Sequence, residues 1–210
     1  LAQGEYLAVV DHDDISLPNR FSKQVAYLDD NAGVGVVSSF GHKIGKNSKL
    51  RKINKFVGSY GFVSDAEIKI GLMKKCVVAH PAAMIRKNIL LKHEIYYEDE
   101  FFPAEDYALW CRLIPYTKFY NIPEVLLHYR RHFSNASKKN HYLLKTVVVK
   151  IHDFVARDNP DWYNKYCIVA FQVKKIRLFG WLPLLKIESR KDLIKIYLFE
   201  VFLLCSLIRK

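Results

Sequence analysis

One stretch decides the fold of this chain: Gly4-Glu5-Tyr6-Leu7-Ala8-Val9-Val10-Asp11-His12-Asp13-Asp14. The apolar run from Tyr6 to Val10 predicts a short buried strand, since strands of a parallel sheet are covered on both faces. Three carboxylates follow where open α/β sheets bind ligands, just past the carboxyl end of a strand. Like charges this close repel each other unless a cation lies among them, and Mg²⁺ prefers carboxylate and phosphate oxygens. The stretch therefore predicts a metal–diphosphate site at Asp11 and Asp13. The alternative is a solvated acidic turn before a helix.

The residues that follow predict a β-α-β unit with a right-handed crossover. Ser16 is a candidate helix cap, and Pro18 suits a first helical turn. Four apolar residues then recur at helical spacing: Leu17, Phe21, Val25 and Leu28. The β-branched run from Val34 to Phe40 predicts the second strand. The basic stretch 41–56 predicts a surface loop or irregular hairpin.

Further elements follow from local patterns. Ser64 and Glu67 have the spacing of a capping box, which predicts a helix. Short apolar runs predict strands at 76–79, 82–86, 118–122 and 125–129. Helices are predicted at 88–93, 104–113, 143–155 and 162–175.

Three groups of polar residues are candidates for a site. His80 lies between two predicted strand pieces, either as a substrate or metal contact or as a structural histidine. Glu105 and Asp106 lie in a predicted first helical turn, where they either complement the helix dipole or supply a general base. A basic group at a strand end either neutralises a diphosphate or forms a surface turn: Arg130, Arg131 and His132.

Net charge is uneven along the 210 residues. The chain carries +12, and residues 134–210 contribute +9 of it, from 15 Lys/Arg against 6 Asp/Glu. With interleaved aromatic residues, this tail predicts contact with an anionic membrane surface; helices docked on protein are the alternative. No apolar run reaches the ~18 residues that span a bilayer. Four separated cysteines predict free thiols of a reducing compartment: Cys76, Cys111, Cys167 and Cys205.

Four stretches, taken in order, carry a family resemblance. They are Gly4 to Asp14, with Pro18, Arg20 and Gln24 after it; His80 to Arg86; Ala104 to Leu113; and Leu127 to His132, with Ser134 and Ser137. Together they resemble the second half of a family 2 glycosyltransferase, the inverting family of the GT-A fold. The first looks like the D-x-D strand, and the third looks like the E-D-x-x-L-W-x-R-L helix that carries the catalytic base.

The resemblance implies a fold and two domains. The fold is α/β and GT-A-like, a Rossmann-like mixed sheet flanked by helices, with a C-terminal helical extension. Residues 1–137 would form the C-terminal portion of the catalytic domain, and residues 138–210 the basic, aromatic-rich extension. Family members begin with a strand and helix that seat the nucleotide, so part of the nucleotide subdomain is expected outside this sequence.

The resemblance also implies roles on the donor side. Asp13 would ligate Mg²⁺ or Mn²⁺ directly, Asp11 would contact ribose or the metal, and Asp14 would support the turn or the metal shell. The donor would be a nucleoside-diphosphate sugar, with a UDP-sugar expected. The leaving diphosphate would be held by the basic group: Arg130, Arg131 and His132.

On the acceptor side, the resemblance makes Asp106 the general base and lets Glu105 orient it, with His80 beside the acceptor. The acceptor would be a glycan or a lipid-linked glycan. Synthesis of bacterial cell-surface polysaccharide or lipopolysaccharide, by a peripheral enzyme at the cytoplasmic face of the cell membrane, is the expected setting.

Other functions stay open from the residues. A metal-dependent phosphohydrolase also gathers Asp residues at a strand end, but its further ligands and nucleophile motif are missing. A non-catalytic, basic membrane-binding remnant is a second alternative. Nucleic-acid binding is disfavoured, because the basic residues do not share one helix and no nucleic-acid-binding motif is recognisable.

Overall fold

The computed structural model describes residues 2–45, 48, 56–57, 61–131, 140–172, 174–178 and 182–186. The chain forms two compact units, Leu1–Tyr166 and Cys167–Lys210. Helix α5 (His141–Asp158) therefore lies in the first unit, although the sequence predicted a boundary at residue 137.

The described elements of the first unit alternate between strands and helices. In chain order they are β1 (Tyr6–Ala8), β2 (Ile15–Ser16), α1 (Arg20–Asp30), β3 (Val34–Ile44), β4 (Phe56–Val57), α2 (Asp65–Leu72), β5 (Met84–Arg86), α3 (Lys87–Lys92), α4 (Glu105–Leu113), β6 (Lys118–Arg130) and α5. Short 3-10 turns, His80–Ala82 and Asp99–Phe101, precede β5 and α4. Helix α6 (Pro160–Gln172) begins in this unit and ends in the second.

The strands form one mixed sheet in the order β1-β5-β3-β6-β2, with β4 also paired to β3. The central pair, β3 and β6, is parallel, and the other pairs are antiparallel. Strands β1 and β3 therefore point the same way, but β5 lies between them. The predicted β-α-β unit is therefore formed by β1, α1 and β3, whose two strands are parallel but separated in the sheet by β5.

The prediction that β1 is a buried strand of a parallel sheet is wrong. Strand β1 has three residues, pairs antiparallel with β5 and lies at the end of the strand order. Its side chains are half-buried or exposed, and Val10, just beyond it, is 55% exposed. An apolar run at a sheet edge is not covered on both faces, so its composition overstates its burial.

Strand β6 joins the two runs that were predicted on either side of Pro123. Between Ser39 and Gly41 the β3 strand advances two residues, while β6 advances five, from Ile122 to Leu127. The extra residues form a bulge that accommodates Pro123, which has no amide hydrogen for the ladder.

Two local predictions at helix starts have opposite outcomes. The capping box is confirmed: the Ser64 hydroxyl accepts from the Glu67 amide, and the Glu67 carboxylate accepts from the Ser64 amide at 2.9 Å. The prediction that Ser16 caps the helix is wrong, because Ser16 lies in β2 and pairs with Leu127 of β6. The Leu17 amide extends that pairing, so α1 begins three residues later.

The strand predicted at 76–79 is also wrong. This segment is irregular, and Val77, Val78 and Ala79 are buried. The Ala79 carbonyl accepts from the Ser38 hydroxyl at 3.3 Å, so a side chain provides the hydrogen bond that a strand partner would provide.

The helix α4 packs its buried face, including Tyr107, Leu109, Trp110 and Leu113, into the core. Helix α5 packs against it, with the Tyr107 hydroxyl 3.1 Å from His152 Nε2. Helix α5 also packs on the preceding 3-10 turn, where the rings of Phe154 and Phe101 lie edge to face at 5.7 Å.

In the second unit, β7 (Lys174–Leu178) pairs antiparallel with β8 (Leu182–Lys186). The helical extension expected here is therefore wrong for these ten residues, and residues 187–210 of that extension lie outside the described residues. Within the described part of the chain, no helix combines the length and apolar character needed to cross a membrane.

Candidate active site

The site is built around Arg20, the first residue of α1, whose side chain is completely buried. Its guanidinium donates to the carbonyl of Val9 at 2.7 Å, to the carbonyl of Ala83 at 3.2 Å and to the Ser16 hydroxyl at 2.8 Å. Burial lowers the pKa of Arg20 to about 10, while the charges of Asp14 and Asp11 act in the opposite direction. One side chain therefore ties the end of β1 to the segment that precedes β5.

Gln24, one helical turn later, extends this contact. Its amide oxygen accepts from Arg20 at 3.2 Å, and its amide nitrogen donates to the carbonyls of Ala82 at 2.7 Å and Val37 at 3.4 Å. Residues at i and i+4 share a helix face, so both side chains leave α1 toward the sheet. They hold the 3-10 turn that begins at His80 against the central strand.

The acidic turn after β1 is held mainly through Asp14. The Asp14 amide donates to the Asp11 carbonyl at 3.3 Å, and its Oδ1 accepts from the Arg130 amide at 2.7 Å. Its Oδ2 is buried and has no hydrogen-bond partner in the described protein. Burial, together with the charges of Asp11 and Asp13, raises the pKa of Asp14 to about 6.

The basic residues at the end of β6 contact this turn. Arg130 Nε donates to the Asp13 carbonyl at 2.7 Å, and its NH1 donates to the Gly45 carbonyl at 3.2 Å. Arg130 thus fixes main-chain geometry, and its contact with a diphosphate stays a prediction. The Arg131 amide bonds the Ile44 carbonyl at 3.0 Å, and His132 lies outside the described residues.

The Tyr129 hydroxyl responds to the charges of both the acidic turn and Arg131. Burial raises the pKa of its hydroxyl, as do the charges of Asp14, Asp11 and Asp13, while Arg131 lowers it. The charges of the three acids and of Arg131 therefore all act on one phenol near the end of β6.

Asp106 lies in the first turn of α4, half-buried. Its Oδ1 accepts from the Tyr107 amide at 2.7 Å, and the Cys76 thiol lies 3.9 Å from its Oδ2. Burial raises the pKa of Asp106, the charge of His80 and the Tyr107 amide lower it, and Glu105 raises it further. A raised pKa suits a general base, because proton transfer is most efficient when the pKa approaches the working pH.

Sequence reasoning missed Tyr97, whose hydroxyl contacts His80 and responds to the charges of acids from both groups. Its hydroxyl is 2.9 Å from His80 Nε2. Burial and then the charges of Asp106, Glu105 and Asp11 raise the pKa of Tyr97 to about 12. The charges of Asp11, on the donor side, and of the candidate base Asp106 therefore both act on one hydroxyl. No periodicity marks this residue; the only signal is an aromatic pair, Tyr96 and Tyr97, directly before an acidic run.

The acids do not form a complete metal cage by themselves. Among the described residues, no group of three or more His, Cys, Asp or Glu side chains is arranged to hold a metal ion. Any metal here would therefore need additional ligands.

Several known proteins are similar to this chain. The family model for glycosyl transferase family 2 matches residues 1–93. An uncharacterized glycosyltransferase of Methanocaldococcus jannaschii is 31% identical over 166 residues, which is 79% of this chain and 53% of that protein. Residues 1–93 belong to glycosyltransferase family 2.

A further relative is also named a glycosyltransferase. The O-antigen biosynthesis glycosyltransferase WbnJ of Escherichia coli is 33% identical over 141 residues, 63% of this chain and 50% of WbnJ. The chain spans about half the length of the first two of these curated relatives. These matches favour a glycosyltransferase over the metal-dependent phosphohydrolase alternative.

Solved structures show the same fold. The S. aureus protein TarS 1-349, crystallised in complex with UDP, superimposes with a TM-score of 0.53 at 14% identity. The match covers 81% of this chain and 47% of the TarS chain. The GT-A-like fold of this glycosyltransferase chain is thereby confirmed.

Arg20→Met should destabilise the chain by about 2–4 kcal/mol, because it leaves buried carbonyls without a donor. Urea unfolding followed by circular dichroism measures the loss. The control is Lys23→Met on the same helix, since the exposed Lys23–Glu124 ion pair should contribute no more than about 1 kcal/mol. Equal losses for the two variants would contradict the central role of Arg20.

Proposed function

We propose that this chain carries the metal-binding turn and the acceptor side of an inverting glycosyltransferase. The enzyme would transfer a sugar from a nucleoside-diphosphate sugar to a glycan or lipid-linked acceptor. The observation that carries the proposal is the Tyr97 hydroxyl, which lies 2.9 Å from His80 Nε2 and whose pKa is raised by the charges of both Asp106 and Asp11. A carboxylate with a raised pKa beside a separate acidic turn provides a base and a donor-binding group in one cleft.

Asp106 acts as the general base in this mechanism. It accepts the proton of the acceptor hydroxyl as that oxygen attacks the anomeric carbon, and the bond to the diphosphate breaks on the opposite face. Attack from that face inverts the anomeric centre. Glu105, whose buried Oε2 has no protein partner in the described residues, is positioned to orient the base or contact the acceptor.

The donor side fits Mg²⁺ or Mn²⁺. The residues of the turn offer hard carboxylate oxygens, and Asp14 Oδ2 is buried without a protein hydrogen bond. Two carboxylates, Asp13 and Asp11, would hold the ion, which matches magnesium sites that use one or two carboxylates with phosphate oxygens and water. When bound, the ion neutralises charge on the departing diphosphate. Arg131, near the same acids, would add positive charge there.

The substrates and setting follow from relatives. UDP is the proposed nucleotide, because the structurally similar TarS was crystallised with UDP. Cell-surface polysaccharide is the proposed product class, because WbnJ is named for O-antigen biosynthesis.

Asp106→Asn should lower kcat by about 10²- to 10⁴-fold and leave donor binding unchanged, because an amide cannot accept the proton. Transfer from a panel of UDP-sugars is the assay. For the wild type, kcat/KM should rise with pH through the raised pKa of the Asp106 carboxyl, and this rise should vanish in the variant. Asp99→Asn, at a nearby exposed position, is the control. An Asp106→Asn enzyme with wild-type turnover would exclude Asp106 as the base.

Asp13→Asn should weaken Mn²⁺-dependent binding of UDP by at least tenfold, because it removes the proposed direct ligand. Isothermal titration calorimetry of UDP, with and without Mn²⁺, measures this binding independently of turnover. Asp30→Asn, at the exposed end of α1, should bind like the wild type. Unchanged binding by the Asp13 variant, or binding indifferent to EDTA, would count against the metal site.

Peripheral location at the cytoplasmic face of the membrane is part of the proposal. The hairpin of the second unit contains Lys174, Lys175 and Arg177 among apolar residues. Basic residues near an anionic leaflet contribute about 1 kcal/mol each.

Replacing all three of these basic residues by Gln should therefore weaken co-sedimentation with phosphatidylglycerol-containing vesicles by about 100-fold. The control triple variant changes Lys74, Lys75 and Lys92, which are exposed in the first unit. Equal effects of the two triple variants would mean that only net charge matters, and the tail would lose its assigned role.

A further inference from the structure

The geometry points to Tyr97 as a positioning residue of the acceptor side, whose hydroxyl holds the His80 imidazole beside the Asp106 carboxyl. The inference rests on the proposed function for the reaction that it serves. The contacts that carry it can be tested without that reaction.

The His80 ring is held on two sides. The Tyr97 hydroxyl lies 2.9 Å from Nε2, and the two rings are edge to face, with centroids 5.8 Å apart and planes at 85°. The ring of Trp110, which is completely buried, lies 6.2 Å away. Edge-to-face rings at this separation attract each other beyond simple area burial.

Tyr97 provides the polar part of this contact. Trp110 packs against the imidazole, and its indole Nε1 has no hydrogen-bond partner among the described residues. The backbone under His80 is fixed separately, since Gln24 holds the Ala82 carbonyl within the same 3-10 turn. Removal of the Tyr97 hydroxyl should therefore release the His80 ring without releasing its backbone.

Rotation of His80 matters because its charge acts on Asp106. Burial raises the pKa of the Asp106 carboxyl, and the charge of His80 is the largest opposing effect. The pKa of Tyr97, about 12, keeps its hydroxyl protonated at neutral pH. Tyr97 is therefore a hydrogen-bonding partner for His80 and does not compete with Asp106 as a base.

A second role for Tyr97 predicts different results. Its side chain is 49% exposed, so its ring could instead be a flat surface for the acceptor sugar. Positioning depends on the hydroxyl, whereas stacking depends on the ring. Tyr97→Phe and Tyr97→Leu separate the two roles, because Phe keeps the ring and loses the hydroxyl.

Two measurements on the full chain test the inference. The first is kcat and acceptor KM for Tyr97→Phe, Tyr97→Leu, His80→Ala and the double variant Tyr97→Phe/His80→Ala. The second is the titration midpoint of Asp106, followed by carbon-13 NMR without substrate. The groups that face Asp106 and enter its titration are His80, Cys76, Tyr97, Cys111 and Glu105. Tyr96→Phe is the matched control, since Tyr96 is the exposed neighbour in the chain.

Tyr97→Phe is expected to lower kcat about tenfold, the effect of one hydrogen bond, with acceptor KM within about twofold of wild type. The Asp106 midpoint should rise in Tyr97→Phe and in His80→Ala. In the His80→Ala background, Tyr97→Phe should change neither kcat nor the Asp106 midpoint further, because the two residues act through one contact.

Other outcomes overturn the inference. Tyr97→Phe with wild-type kcat and an unchanged Asp106 midpoint would do so, and a raised acceptor KM in Tyr97→Leu alone would assign the stacking role. Additive effects in the double variant would also exclude action through His80. If the wild-type chain transferred no sugar, the proposed function would fail, while the Asp106 titration would still decide whether Tyr97 acts through His80.

Discussion

The buried guanidinium of Arg20 is the interaction on which the rest of the site depends. A charge removed from water is costly unless it is hydrogen-bonded and compensated. Here the compensation comes from carbonyls of two loops and from the nearby charges of Asp14 and Asp11. The cost of burying Arg20 is therefore offset only when both loops are in place, which couples the position of the acidic turn to that of the His80 turn.

This coupling explains how groups from distant parts of the chain meet. The acidic turn follows β1, His80 precedes β5, Asp106 begins α4 and Arg130 ends β6. Their backbones are held by main-chain hydrogen bonds and by side chains with no proposed chemical role, such as Gln24 and Ser38. Sites supported in this way keep their geometry while the reacting side chains stay partly open to solvent.

Features with a local cause were predictable from the sequence. The capping box needs only Ser64 and Glu67, and helix α4 follows from its own apolar spacing. The family motifs assigned Asp11 and Asp13 to the donor side and Asp106 to the acceptor side, and these roles stay predictions. Features with a nonlocal cause were not predictable. The edge position of β1 depends on its pairing with β5. Ser16 pairs with Leu127 in the sheet and therefore does not cap α1.

Tyr97 belongs to the nonlocal class as well. It lies outside the helices and strands, and its importance comes from three charges and one imidazole that other segments bring to it. A single sequence contains no pattern for such a position.

The bulge at Pro123 has a consequence for how related chains can diverge. It separates the half of β6 that packs in the core from the half that reaches Asp14. A strand repeats every two residues, so loss of Pro123 and Glu124 would keep every side chain on its face. Val125 would then follow Ile122 directly, as Phe40 follows Ser39, so the second half of β6 would keep its pairing with β3 and Arg130 would stay at the acidic turn. Related chains can therefore lose or gain this pair of residues without moving the contact between Arg130 and the acidic turn.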